Sequence, residues 1–394
     1  MPASGIGRHA MSHRLGRATL FGALICVKAI GRQSVPVTTL AKPLAEFPEG
    51  YAYLNDLREL PDGRVLTIER CEGVVKLLDL ASGTEGMVGR SGAGPGEYRT
   101  PARLLDLPGD STAIYDPGNR RYLVVHPDGK PGRFFDPLPT VSQTGKAMVA
   151  AIGFSPVIAD ALGRFYAREA GLLEAGATLV RAESLAVERW DHRSGKLDTI
   201  AFHRNVRPGS IAMGPGQQNI AFTTGIQWAV ARDGQVALVY PGDYHVEFID
   251  PAGTRFAGKP IPFERIRVSE GHKQQWRQDQ KPLCGNRSIS MPGPSGRTVN
   301  IVPRPAPEPS EWPEYLPPFL PGAAVFAPDG TLWIRRTGPA DASPDYDVID
   351  GRGQRVRRVI LPKRARLLGF GRGTLYLARV DDDDLQYVQR FRLP

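Results

Sequence analysis

At 394 residues and 41% hydrophobic content, the chain is long enough to bury the core of one large all-β domain or two ordinary domains. Its 44 glycines and 36 prolines suit many short strands joined by tight turns. No segment reaches the roughly 18 consecutive apolar residues of a membrane-spanning helix, so we expect no membrane span. The net charge of +9 comes from scattered basic residues without a recognition motif, which argues against a nucleic-acid partner. Of the three cysteines, Cys71 and Cys284 could pair.

Residues 1–33 are predicted to form a leader or a disordered N-terminal segment, followed by one domain over residues 34–394. Arg14 and Arg17 precede a ten-residue apolar run, Ala18 to Val27, which has the length of a signal-peptide core. We therefore expect an exported protein, periplasmic or extracellular. Lys28 and the lack of an A-x-A cleavage site leave a cytoplasmic location as the alternative.

A short pattern occurs six times along the chain. It consists of a turn closed by glycine and followed by alternating apolar residues, as in PDGRVLTIER from Pro61 and PDGTLWIRR from Pro328. An Asp-Gly pair supplies the positive-φ positions of a tight hairpin turn. The alternation with β-branched and aromatic residues predicts a half-buried strand. The turn glycines are Gly63, Gly109, Gly163, Gly234, Gly330 and Gly373.

A second apolar strand follows each copy except the last and ends in Asp or His, as in HVEFIDPAGT from His245 to Thr254. Each unit therefore offers three or four antiparallel strands. The turn-glycine spacings of 46, 54, 71, 96 and 43 indicate a base period within the range of about 40–50 residues typical of propeller blades. One small sheet cannot bury both of its faces, so the units must stack in a closed ring. The sequence predicts an all-β fold, a single β-propeller with six blades of mostly four antiparallel strands.

Two features concern the blade number and the closure of the ring. The sixth unit ends one strand short at Tyr387 to Pro394, and Val35 to Phe47 could supply the missing edge strand. A disordered N-terminus is the alternative. A seventh blade around Gly296 to Pro303 is the alternative to six, because the spacing of 96 is about twice the blade length.

The largest insertion runs from about residue 265 to 321. It begins with a polar run, VSEGHKQQWRQDQ, in which Ser269 is a plausible N-cap of a helix. Its proline-rich part, residues 303–322, cannot join a central strand. The insertion is either a lid or clamp on one propeller face or a solvent-exposed connector. A second insertion, residues 169–184, is predicted to extend a hairpin in the third unit.

One linker resembles that of a known family. The segment GRSGAGPGEYRTP, from Gly89 to Pro101, resembles the inter-blade linker of NHL-repeat propellers and of related bacterial six-bladed propeller proteins. In those proteins a glycine-rich loop precedes the next inner strand, and Gly96, Glu97 and Tyr98 match its end. The resemblance implies a six-bladed propeller of a mostly uncharacterised, exported bacterial group.

Polar side chains near the inner strands are the candidates for a binding site. Asn55, Glu97, Arg99 and Gln227 are predicted to bind a ligand. Glu97 has a structural alternative, in which its carboxylate tethers its own linker. These assignments follow from position along the units, since one sequence does not show which side chains converge on the axis.

A metal site is the alternative to this ligand site. Six-bladed lactonases resembling gluconolactonase hold calcium in the central channel through Glu, Asn and Asp, and oxygen ligands suit that ion. In this alternative the ligands are Asn55, Glu97, Asn219 and His203. The histidines and cysteines show no zinc-binding spacing, and apart from calcium no cofactor is predicted.

The main functional hypothesis is a non-enzymatic ligand- or protein-binding propeller, because no catalytic set or serine nucleophile elbow is recognisable. Its ligand would be a protein, a peptide or a glycan, and the chain would be a monomer. The alternative is a metal-dependent hydrolase of the lactonase type with its site in the central channel. Calcium or zinc bound in stoichiometric amount would favour that alternative.

Overall fold

The computed structural model describes residues 35–138, 155–168, 172–175, 178–181, 183–204, 209–210, 220–284, 289–292, 298–301 and 307–394. These residues form six small antiparallel sheets in a ring, which is a six-bladed β-propeller. The predicted fold class and blade number are confirmed. Among these residues, no helix is long and apolar enough to cross a membrane.

The blades follow one another in chain order, and apart from two short N-terminal strands each blade comes from one continuous stretch of the sequence. Before the first blade lie β1 (Val37–Thr39) and β2 (Ala45–Glu46). The first blade comprises β3 (Leu54–Glu59), β4 (Val65–Glu69), β5 (Val74–Asp79) and β6 (Thr84–Met87), and the short strands β7 (Arg90–Ser91) and β8 (Glu97–Tyr98) follow it. The second blade comprises β9 (Arg103–Asp106), β10 (Thr112–Asp116), β11 (Arg121–Val125) and β12 (Pro131–Phe135), with a 3₁₀ turn at Pro108–Asp110.

The third blade contains an extra small sheet. In chain order its region holds β13 (Ile158–Ala159), β14 (Phe165–Arg168), β15 (Leu172–Ala175), β16 (Thr178–Arg181), β17 (Ser184–Asp191), β18 (Lys196–Arg204) and β19 (Gly209–Ser210). The blade itself is β13-β14-β17-β18, and β15, β16 and β19 form the separate sheet. The hairpin β15–β16 lies within the second insertion, as the sequence predicts.

The remaining elements complete the ring. The fourth blade comprises β20 (Gln227–Val230), β21 (Val236–Tyr240), β22 (His245–Ile249) and β23 (Arg255–Ala257), followed by helix α1 (Glu270–Asp279) and the strands β24 (Ile289–Pro292) and β25 (Thr298–Ile301). The fifth blade comprises β26 (Phe319–Phe326), β27 (Leu332–Arg336), β28 (Asp345–Ile349) and β29 (Arg355–Ile360). The sixth comprises β30 (Ala365–Phe370), β31 (Thr374–Val380) and β32 (Gln386–Arg392).

Six hydrophobic clusters hold the ring together, one between each pair of neighbouring blades. Because side chains alternate along a strand, the second strand of a blade contributes to two clusters. In β4, Val65 packs toward the sixth blade and Leu66 toward the second. Both residues are fully buried, and burying such a side chain stabilises the fold by about 1.5–3 kcal/mol. The cluster between the sixth and first blades closes the circle.

The repeated Asp-Gly turns form the hairpins that the sequence predicts. In the first blade, Asp62 Oδ1 accepts a hydrogen bond of 3.0 Å from the Arg64 amide, which stabilises the turn from the inside. Gly63 has a φ of 86°, a conformation that side chains with a Cβ rarely adopt. Asp233 and Asp329 make the same contact in the fourth and fifth blades.

The N-terminal segment closes the ring in two steps. The strand β2 pairs antiparallel with β32, with Ala45 opposite Arg390, and so supplies the fourth strand of the sixth blade as predicted. The strand β1 was expected in the same blade, but it pairs parallel with β29 as a fifth strand of the fifth blade. Leu40 then packs between these two blades, so one short segment covers the outer edges of both sheets.

The largest insertion lies between β23 and β26, and we call residues 258–318 the cap. Its helix α1 begins after Ser269, whose hydroxyl accepts from the His272 amide while His272 Nδ1 accepts from the Ser269 amide. The predicted helix and N-cap are confirmed. The region of the alternative seventh blade contains the two-stranded sheet β24–β25 among the residues described, so that alternative is wrong.

A disulfide between Cys71 and Cys284 fixes the cap to the first blade. Cys71 lies in the turn between β4 and β5, and Cys284 follows α1. The cap leaves the fourth blade and returns to the fifth, whereas the first blade faces the fourth across a ring of six. The cap therefore extends over one face of the ring, the cap face, and is anchored at its far side. This arrangement is a clamp and not a free connector.

Candidate functional site

A cavity of about 740 Å³ lies among the first strands of the third, fourth and fifth blades, β13, β20 and β26. First strands are the inner strands here, because the fourth strand β6 is exposed along its length whereas β3 is mostly enclosed. The cavity therefore lies beside the inner strands of these three blades, and its lining extends to the outer strand β18 through His203 and Arg204. Its size suits a small organic molecule.

The space arises from small residues and from a break in one strand. Ala229 and Val230 present little volume from β20, and Ala324 does so from β26. The register of β26 against β27 shifts between Phe319 and Ala324, around Pro321 and Gly322. Proline cannot donate to a strand ladder, so the inner strand bulges there. The sheet thus leaves a recess where a continuous strand would have filled it.

The described lining of the cavity is mostly apolar, and its ionisable side chains are basic. Arg204 and His203 are its ionisable residues, and its described lining holds no carboxylate. Trp228 adds an aromatic surface that is partly exposed to the cavity. The hydroxyl of Thr224 donates to the Gly225 carbonyl oxygen at 3.3 Å. An anionic group would be favoured near Arg204, whereas a cation would meet repulsion.

Two of the residues predicted from the sequence line this cavity. Gln227 lies at the start of β20, and its Oε1 accepts a hydrogen bond of 2.8 Å from the Gly322 amide of the fifth blade. His203 lies near the end of β18 and is buried, with Nδ1 at 3.4 Å from the Arg204 carbonyl oxygen. The structure thus brings one member of the ligand set and one member of the metal set together. Asn219 lies outside the described residues.

Asn55 and Arg99 lie elsewhere and help to join neighbouring blades. The Asn55 side-chain amide donates to the Ala102 carbonyl oxygen at 2.9 Å and so connects β3 to the linker before β9. The Arg99 backbone amide donates to the Asp116 carboxylate at 3.0 Å. Neither residue is among those that line the cavity.

Glu97 has the structural role that was predicted as its alternative. One carboxylate oxygen forms an ion pair with Arg90 at 2.7 Å, and the other accepts from the Gly94 amide at 2.6 Å. A Cβ on Gly92 would lie 2.1 Å from this carboxylate, so a larger residue there would displace Glu97 from its position in the loop. In this chain, the linker motif therefore stabilises the conformation of its own loop.

Arg204, Trp228 and Thr224 were not predicted from the sequence. Trp228 directly follows Gln227 in an inner strand, and an aromatic residue beside a predicted ligand residue was a usable signal. Arg204 gave no such signal, because it lies at the end of an outer strand and reaches the cavity only through the packing of the third blade against the fourth.

Ion pairs bridge the other face of the ring, which carries the turns between first and second strands and which we call the turn face. Arg372 of the sixth blade lies 3.2 Å from Asp110 of the second. Arg232 of the fourth blade lies 3.7 Å from Asp106 of the second. In each pair, the two residues belong to blades that are separated by one other blade. Their side chains therefore extend across the mouth of the channel on this face.

Asp56 is an acidic group on the inner strand β3. Its Oδ2 accepts from the Leu104 amide at 2.9 Å and thereby connects the first blade to the second. Loss of water raises the pKa of Asp56 to about 6, although Arg103 and the backbone donors act in the opposite direction. The unfolded chain has an ordinary carboxyl with a pKa near 3.8.

Asp56→Asn should flatten the dependence of stability on pH. The pKa of Asp56 is higher in the folded protein than in the unfolded chain. Its contribution to the free energy of unfolding is therefore complete below about pH 4 and is lost as pH rises through about 6. The shift from 3.8 to about 6 corresponds to about 3 kcal/mol between pH 4 and pH 7. Urea unfolding of wild type and variant at pH 4, 5, 6 and 7 measures this difference.

Asp79→Asn is the control, because the contribution of Asp79 to stability should change with pH in the opposite direction. Backbone amides of the turn after β5, first that of Ala81, lower the pKa of Asp79, so its contribution to stability is lost as pH falls. Asp79→Asn should therefore destabilise the protein more at pH 7 than at pH 4. Equal pH profiles for wild type and Asp56→Asn would contradict the prediction for Asp56.

No group of three or more His, Cys, Asp or Glu side chains is placed to hold a metal ion within the described ranges. Asn55, Glu97 and His203 all lie in those ranges, and the carboxylate of Glu97 is engaged by Arg90 and Gly94. The calcium alternative stays a prediction, since its fourth residue, Asn219, belongs to the part not described.

Comparison with known proteins yields distant structural likeness alone. No family model matches the chain, and no curated protein matches it. A calcium-binding regucalcin from Agrobacterium tumefaciens is 11% identical, with a TM-score of 0.38, over 91% of this chain and 98% of that one. A gluconolactonase from Xanthomonas campestris is 11% identical, with a TM-score of 0.40, over 88% and 91%. A virginiamycin B lyase from Staphylococcus aureus is 9% identical, with a TM-score of 0.35, over 89% and 88%. Likeness at this level decides nothing about activity.

Proposed function

We propose that this propeller is a non-enzymatic binding protein and that it holds a compact organic anion with an apolar body. The observation that carries the proposal is the 740 Å³ cavity, whose described lining combines apolar walls with Arg204 and His203 and lacks carboxylates. A pocket of this kind, mostly apolar with a few polar groups that orient the ligand, is typical of small-molecule binding sites.

The chemistry of the wall indicates which part of the ligand lies where. The anionic group lies by Arg204, because a guanidinium donates hydrogen bonds to carboxylate or sulfonate oxygens. The apolar body lies against Trp228 and Ile226. Calcium prefers carboxylate and carbonyl oxygens, so this lining suits an anion better than that ion.

We also propose that the protein works outside the cytoplasm. The Cys71–Cys284 disulfide supports this location, since disulfides persist in oxidising compartments and are rare in the reducing cytosol. The basic and apolar N-terminal run supports the same location.

The dye anilinonaphthalene sulfonate (ANS) is a suitable probe, because it carries a sulfonate on an apolar aromatic body. We expect one ANS molecule to bind per chain. Arg204→Gln should weaken binding tenfold or more, because a hydrogen bond to a charged group contributes about 1.5–3 kcal/mol. Thr224→Phe should also weaken binding, because the larger side chain obstructs part of the cavity. Fluorescence titration measures all three affinities.

Arg193→Gln is the matched control, since Arg193 is an exposed arginine in an outer turn of the same blade. Its ANS affinity should equal that of wild type, and near-UV circular dichroism should show that all variants are folded. Unchanged ANS binding by Arg204→Gln and Thr224→Phe would overturn the proposal. One calcium per purified chain together with lactone hydrolysis that a chelator abolishes would replace it with the hydrolase alternative.

A further inference from the structure

A second cavity, of about 210 Å³, lies between the cap and the fifth blade. One wall is a single face of α1, formed by His272, Gln275, Trp276 and Asp279, whose spacing puts them on one side of a helix. The opposite wall is the fifth blade, with Arg335 at the end of β27. This volume would hold roughly seven water molecules, at about 30 Å³ each.

The helix is held firmly over this cavity. The buried His272 lies with Nε2 at 3.0 Å from the Gly338 carbonyl oxygen of the fifth blade. A Cβ on Gly271 would lie 2.8 Å from that of Ala340, so glycine allows α1 to approach the blade closely. Trp276 packs edge-on against Trp312 of the cap, with 5.5 Å between ring centroids. The cavity is therefore a preformed space and not a gap beneath a loose segment.

Two opposite charges face this space without forming an ion pair with each other. Within the described residues, the side chains of Asp279 and Arg335 make no hydrogen bond and no ion pair. Their charges still interact, since Arg335 lowers the pKa of Asp279 while loss of water raises it more strongly. The neighbouring Arg336 differs, because Asp345 and Asp347 lie 3.2 and 3.6 Å from it.

Asp279 is exposed to the cavity and makes no hydrogen bond or ion pair with the described residues. It is the last residue of α1, where the helix dipole repels a carboxylate. A bound ammonium group can contact this carboxylate, and a bound carboxylate can contact the guanidinium of Arg335, which is also exposed. Gln275, one turn before Asp279, adds an amide with no hydrogen-bond partner in the described part of the chain.

We propose that this cavity binds a free amino acid with an apolar side chain. The ammonium group contacts Asp279, the carboxylate contacts Arg335, and the side chain lies against Trp276 and Leu320. Because the two walls carry opposite charges, a zwitterion fits better than an ion of one sign. This site is distinct from the cavity of the third to fifth blades and does not depend on the function proposed for it.

The test uses isothermal titration of the full chain with six amino acids, L-leucine, L-isoleucine, L-valine, L-methionine, L-phenylalanine and L-tryptophan. We expect at least one to bind with a Kd below 1 mM. Its amide, which lacks the carboxylate, and its deaminated acid, which lacks the ammonium group, should each bind at least tenfold more weakly than the amino acid. Failure of all six to bind would overturn the proposal.

Two substitutions assign the two ends of the ligand. Asp279→Asn should weaken the amino acid tenfold or more and leave the deaminated acid unchanged, whereas Arg335→Gln should weaken the amino acid and leave its amide unchanged. Glu270→Gln, at the other end of the same helix, should bind like wild type. If both substitutions leave amino-acid binding unchanged while the proteins stay folded, the proposal is wrong. Arg204→Gln should not affect this binding, which separates the two sites.

Discussion

Deleting residues 1–47 should leave the propeller largely unfolded or aggregated. The deletion removes β1, β2 and the fully buried Phe47, whose loss alone costs about 3–5 kcal/mol by analogy with Phe-to-Ala changes in protein cores. The ladder hydrogen bonds to β32 and β29 are lost as well. Because native domains are stable by only about 5–15 kcal/mol, the total approaches the whole stability of the fold. Circular dichroism and size-exclusion chromatography measure the outcome.

The matched control is a deletion of residues 1–34, which retains every described strand. This shorter deletion should melt at the wild-type temperature. Phe47→Ala provides a milder variant that stays folded but is destabilised by the amount given above. If the 1–47 deletion melted like the control, the N-terminal strands would contribute nothing and ring closure by β2 would be refuted.

Cys71→Ser should release the cap from the first blade and lower the free energy of unfolding by about 2–5 kcal/mol. The disulfide closes a long loop, because its cysteines are 213 residues apart in sequence. The effect should be strongest in the cap, whose helix α1 loses the covalent anchor beside its C-terminal end. Amide hydrogen exchange should therefore speed up most in residues 270–279, and urea unfolding gives the global effect.

Wild type treated with a reductant should reproduce the behaviour of Cys71→Ser, whereas the variant itself should not respond to the reductant. Cys284→Ser removes the same bond from its other end and should therefore match Cys71→Ser. Exchange in α1 that is identical in wild type and Cys71→Ser would show that packing alone holds the cap, and the clamp interpretation would fail.

The ring architecture was predictable because each blade repeats a local signal. An Asp-Gly turn such as Asp62–Gly63 and the alternation after it specify a hairpin within about ten residues, and stacking follows from the two apolar faces of each strand. The placement of β1 was not predictable, because its parallel partner β29 is more than 300 residues away and its three residues carry no pairing signal. Pairing over such distances depends on the closed ring itself.

The candidate sites were less accessible to sequence reasoning. Gln227 was found because it begins an inner strand, but the cavity beside it depends on the register shift around Pro321, which belongs to another blade. The pair of Asp279 and Arg335 was missed because α1 was recognised without knowing which blade it would cover. Glu97 is the opposite case. Its motif is easily recognised in the sequence, but in the structure its carboxylate stabilises its own loop and does not line a cavity.

The two faces of the ring are held by different kinds of bond, so two different agents loosen them. On the turn face, the Arg372–Asp110 and Arg232–Asp106 pairs are exposed, and dissolved salt screens exposed charges. On the cap face, the Cys71–Cys284 bond is indifferent to salt and yields to thiols. Ionic strength therefore acts on the turn face and redox potential acts on the cap face, and the two effects are independent of each other.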